Sequence, residues 1–153
     1  MGFGKGVAAS LAAGVMLCSM PAVAGPMDDA EKLRRLDIML MVTGLRCRTT
    51  ADNFQPDYGR FTTIHYTTLN GAAQVMKADM ARRYGAAGAA RALDKLSVTM
   101  ANDYGSGHPW LSCAQLKQVT QDLVAARGPG PLLAAADQLL ADSGTPTFAW
   151  AKR

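Results

Sequence analysis

LDIMLMVTGLRCR, residues Leu36 to Arg48, is the stretch whose reading decides the fold. Leu33, Leu36, Leu40 and Thr43 follow helical spacing, while Ile38, Met39, Met41, Val42 and Leu45 fill most of the remaining circumference. A helix that is apolar nearly all round belongs in the middle of a core. Lys32, Arg34 and Arg35 stand just before the run, which falls short of the roughly 20 apolar residues that a membrane span requires. The spacing predicts a helix from Asp28 or Asp29, acidic residues suited to the positive end of a helix, to about Thr43, with Gly44 as its C-cap and Cys47 just beyond.

Upstream, Met1 to Ala24 has the three parts of an export signal: Lys5, an apolar stretch from Val7 to Leu17, and Ala22-Val23-Ala24 as a small-x-small cleavage site. Residues 1–24 are read as a signal peptide and 25–153 as a single helical domain, destined for the periplasm or the medium. Val15-Met16-Leu17 before Cys18 does not have the small residues of a lipid-attachment box. Sixteen basic residues stand against twelve acidic ones, scattered without a run of five, so nucleic acid is not indicated as a partner. Beyond the signal, Cys47 and Cys113 are the two remaining cysteines, and in an oxidising compartment they are expected to pair. The loop they would close gives about 4 kcal/mol of stabilisation in chain-entropy terms.

Downstream, Pro56-Asp57 opens a second helix, and Tyr58, Phe61, His65, Leu69, Ala72, Met76, Met80 and Tyr84 step by three or four to Gly85. Thr62, Thr63, Thr67, Thr68 and Gly71 weaken it, and a bend between Thr67 and Gly71 is conceivable, but one long helix is the preferred reading. A third helix spans Ala86 to Asp103 and stops at Gly105. Ser112-Cys113-Ala114-Gln115 is a capping box for a fourth, which runs to Gly128. After Gly128-Pro129-Gly130-Pro131, a fifth carries Leu132, Leu133, Ala136, Leu139 and Leu140 and ends at Gly144. Thr145 to Arg153, with Pro146, Phe148 and Trp150, is either loose or packed by its aromatics. No stretch alternates with period two. The expected class is all-α: a compact bundle of about five helices held by one disulfide.

Unusual chemistry converges in one place, the loop that joins the third and fourth helices. Asp103, Tyr104, Ser106, His108 and Trp110 lie within eight positions beside Cys113, with glycines that let the backbone approach a ligand and an indole that offers a large contact surface. This loop is the candidate binding site. The opposing reading makes Pro109 and Trp110 a hydrophobic lid over the disulfide. His65 sits on an apolar stripe and reads as a structural histidine satisfied by one hydrogen bond. The two histidines lack the spacing of a metal site, no Gly-x-Ser-x-Gly elbow or phosphate-cradling loop occurs, and no metal or cofactor is expected. Arg34-Arg35, Arg46 with Arg48, and Arg82-Arg83 read as a solvated face or as contacts for an acidic partner.

LDIMLMVTGLRCR, ADNFQPDYGRF, MANDYG and GHPWLSCAQLKQVTQDL resemble a family of small exported alphaproteobacterial proteins without an established role, relatives of which carry the name S-adenosyl-L-homocysteine hydrolase. That name implies a two-domain NAD enzyme. The chain is too short for one and has no glycine-rich dinucleotide fingerprint, so the resemblance implies export and no site residue. Two functions stay open. One is a non-enzymatic module of the envelope that binds another protein or a small ligand, in the manner of small secreted immunity or inhibitor proteins. The other is a small hydrolase or metal-dependent enzyme using His108.

Overall fold

The computed structural model describes residues 25–140. The expected export signal, residues 1–24, and the aromatic tail from Thr145 onward lie outside the described residues. Among the described residues five helices follow one another: α1 (Pro26–Cys47), α2 (Gln55–Ile64), α3 (Tyr66–Asp103), α4 (Cys113–Ala125) and α5 (Pro129–Leu139). No strand occurs among the described residues, and a disulfide joins Cys47 to Cys113, so the fold is an all-α bundle stapled once.

α1 is the central element and packs against each of the other four helices. Leu36, Met39 and Leu40 are wholly buried, with Leu33 and Ile38 nearly so; burying each contributes on the order of 1.5–3 kcal/mol. Thr43 is buried among them because its hydroxyl donates to the Met39 carbonyl at 2.6 Å, which leaves no orphaned polar group. The helix runs three residues past Gly44, so that glycine is not the C-cap. Its role is space: a Cβ on Gly44 would stand 3.4 Å from the ring of Phe54, which lies fully buried against the bare backbone.

The long helix expected from Pro56 to Gly85 is broken, earlier than the bend considered at Thr67 to Gly71. The break is at His65, whose ψ of 14° ends α2 and whose backbone opens α3. Two forces act there. Thr62 and Thr63 both donate their hydroxyls back to the Gly59 carbonyl, a pattern that bends helices. The buried His65 ring, 5.2 Å from Phe61, donates Nε2–H to the Leu123 carbonyl at 2.8 Å and pins the corner to the end of α4. His65 is the structural histidine the sequence suggested.

Gly85, with φ 73° and ψ 164°, is the corner of α3, separating an arm over 66–84 from one over 86–103. Only glycine adopts this geometry without strain. Gly71 is also in α3 but lies in regular helix, with open space where a Cβ would go. The two should therefore respond oppositely to alanine in a denaturant melt: Gly71→Ala stabilising by about 0.5–1 kcal/mol, Gly85→Ala destabilising by about 1–3 kcal/mol.

Polar ties hold the helices in register. Tyr58 on α2 donates its hydroxyl to Asp37 on α1 at 2.8 Å, and burial, then the neighbouring carboxylate, push the phenol well above its usual range. Burial likewise raises Asp37, opposed by the Tyr58 hydrogen bond and by Arg34. Asp57, buried at the start of α2, accepts from Arg60 and from Gln121 of α4. Arg34 and Arg35 are half-buried and tie α1 to α3, Arg34 meeting Ser97 and Asp37 and Arg35 meeting Asp103 and Glu31, whereas Arg82 and Arg83 lie on an exposed face and pair with Asp79 of their own helix.

Candidate functional site

The loop between α3 and α4 is held at both ends. At its start, Arg46 from the last turn of α1 donates to the Gly105 carbonyl at 2.8 Å. At its end, the capping box forms as expected: the Ser112 hydroxyl accepts from the Gln115 amide at 3.3 Å, and Gln115 Oε1 accepts from the Ser112 amide at 2.9 Å. Gly107, with φ 108°, supplies the turn between them.

His108 is the internal brace of the loop. Its Nε2 donates to the carbonyl of Leu139, the last residue of α5, at 3.0 Å. Its Nδ1 accepts, at longer range, from the amides of Trp110 and Leu111. The ring stacks on Tyr104 at 6.1 Å and meets Trp110 edge-on at 4.6 Å. With both nitrogens engaged by backbone, the imidazole offers neither a free base nor a free ligand in this arrangement, and among the described residues no three His, Cys, Asp or Glu side chains gather as a metal site would require.

Burial is the leading cause of a lowered His108 pKa, partly offset by the Leu139 carbonyl. The sign follows: a histidine held neutral in the fold but free to charge near pH 6.5 when unfolded contributes stability that is complete above 6.5. That contribution is lost as pH falls from 6.5 toward the folded pKa. Denaturant midpoints between pH 7 and pH 5 should therefore decline for the wild type, and the difference from His108→Asn should shrink across the same window.

The His108 ring partitions the loop into two faces. Ser106, Gly107, Leu111 and Ser112 line a small hollow of about 270 Å³ beside the disulfide, with Thr43 and Arg46. Tyr104, Pro109 and Trp110 line a wider groove of about 880 Å³ between α1 and α5. The disulfide is thus covered by the glycine-serine side of the loop, and the indole belongs to the groove. Asp103 joins the groove rim through Arg35, at 2.8 Å. Of the five candidate residues, Asp103, Tyr104 and Trp110 meet in the groove, His108 supports them from behind, and Ser106 lies on the other face.

The groove has an apolar floor of Tyr104, Pro109, Trp110, Ala136, Leu139 and Leu140. Its rim carries Asp28, Glu31, Asp103 and Asp137 against Lys32 and Arg35, two more carboxylates than cations. Arg35 links Glu31 with Asp103, and Lys32 pairs with Asp137 at 2.5 Å across to α5. Trp110 Nε1 is buried without a hydrogen-bond partner among the described residues. Sequence reasoning found the loop but missed the α1 and α5 residues. Glu31, Lys32 and Arg35 do share one helical stripe, a signal that points to a common face without saying what faces it.

Comparison of the chain with protein-family models, curated proteins and solved structures finds no match in any of the three.

Proposed function

We propose that this chain is an exported, non-enzymatic recognition module of the cell envelope, which binds another protein through the groove between α1, the loop and α5. The observation that carries the reading is the groove itself. An apolar floor with a central indole, ringed by charged side chains, has the composition of a protein-contact surface, and its volume falls within the roughly 300–1,000 Å³ range of binding clefts. The rigid support matters as much as the lining. Arg46, the Ser112 capping box and His108 fix the backbone under Trp110, so little conformational freedom is lost on binding. The small-x-small cleavage pattern at Ala22 to Ala24 and the Cys47–Cys113 bond both support export to an oxidising compartment.

Site-specific photo-crosslinking tests the reading. A photoreactive residue at Pro109, on the groove, should give an intermolecular adduct in cells of the source organism, while the same residue at the exposed Gln118 on α4 should not. Trp110→Ala should abolish the Pro109 adduct, since losing a central aromatic anchor costs about 2 kcal/mol or more of binding. Equal adducts from both positions, or none from Pro109, reject the groove as a contact surface.

A further inference from the structure

We propose that the groove has an occupant within the chain: residues 141–153, ADSGTPTFAWAKR, bind in it through Phe148 and Trp150. The inference rests on reading the groove as a recognition surface and names the chemistry that surface takes, an aromatic pair followed by basic residues.

Three observations meet here. The first is position: Leu140, the residue immediately before this segment, is itself part of the groove floor. Eight further residues reach Phe148, a span of at most about 28 Å, so the aromatics are tethered close to the floor at high effective concentration. The second is composition. Phe148 and Trp150 are two large aromatics in a stretch otherwise made of small, polar and charged residues. Such rings suit a floor built from Tyr104, Pro109, Trp110 and Leu139. The third is charge. Lys152 and Arg153 outnumber the one acid of the segment, Asp142, and the rim they would meet has two carboxylates in excess.

A tethered ligand of this kind makes the groove self-guarded. An outside partner must carry a better version of the same aromatic and basic pattern in order to displace it.

The test uses the whole mature chain, ¹⁵N-labelled, with the two indole N–H signals assigned by Trp150→Ala. In Phe148→Ala/Trp150→Ala the Trp110 indole signal should shift relative to wild type, while the thermal melt remains cooperative. A synthetic peptide of residues 141–153 should then bind this variant saturably and return the Trp110 signal toward its wild-type position. Wild-type protein should bind the same peptide at least tenfold more weakly, because its groove is already filled, and binding should weaken from 50 to 500 mM salt. Equal binding to both proteins would show a groove that takes the peptide but is not filled in cis, overturning this inference and leaving the recognition reading intact. No binding to either, or a wild-type dimer in sedimentation whose dissociation frees the Trp110 signal, would also overturn it; the Pro109 crosslink then decides the recognition reading separately.

Discussion

Cys47→Ala/Cys113→Ala should lower stability by about 2–5 kcal/mol, the largest effect expected from any change outside the packed helix faces. The bond spans 66 positions and joins the last residue of α1 to the first of α4. Breaking it frees the denatured chain, for which loop closure alone accounts for about 4 kcal/mol. It also loosens the base of the loop between α3 and α4, because Cys113 directly follows the Ser112 cap. A guanidinium melt of the double variant against wild type measures the loss, and a change below about 1 kcal/mol would mean the staple is redundant with the packing.

The same bond should resist mild dithiols as long as the fold is intact. Cys113 is the more accessible partner, and attack on its sulfur expels Cys47, which is almost wholly buried at the negative, C-terminal end of α1 and so is a poor leaving thiolate. Attack on Cys47 would expel the better leaving group at the N-terminus of α4, but burial shields that sulfur. Reduction should therefore follow global unfolding, with a rate that tracks denaturant.

His108→Ala is expected to cost about 3 kcal/mol, more than Trp110→Ala at about 2 kcal/mol, although the indole is the larger side chain. The imidazole satisfies the Leu139 carbonyl and offers an acceptor to the amides of Trp110 and Leu111, while its ring touches two aromatics. Removing it leaves backbone groups unpaired in a partly buried place. Trp110 makes no side-chain hydrogen bond among the described residues and lines the groove rather than the centre of the core, so within the bundle its removal loses packing alone. Binding should show the reverse order: Trp110→Ala weakens a partner by thirtyfold or more, and any His108→Ala effect should be recovered when the loop is held folded by low temperature. Thermal melts and partner titrations on the two variants together separate brace from contact. A stability loss larger for Trp110 than for His108 would return the indole to the role of a core lid.

Residues from Pro26 to Leu140 show where sequence sufficed. Periodicity identified every helical region, because the apolar stripes of Leu33 to Leu40 and Leu132 to Leu139 can be buried in only one way. The Ser112-Gln115 box and the Gly85 corner were equally plain, since each depends on chemistry local to a few residues. Cys47 and Cys113, the two cysteines beyond residue 24, left one available pair, and the structure joins them. What escaped were features made by partners distant in the chain. Gly44 looked like a stop because a glycine after a helical run usually is one; that it stays helical and cushions Phe54 depends on a ring ten positions away. His65 looked like part of a continuous stripe, and the break there comes from its bond to Leu123 on another helix. His108 looked like the chemically active member of its loop, and only the placement of α5 showed its Nε2 donating to Leu139. The groove was invisible for the same reason: a sequence records which side chains share a face of one helix, whereas a concave surface exists only once Glu31, Lys32 and Arg35 of α1, the Trp110 loop and Leu139 of α5 are set at fixed distances by the packing of the whole bundle.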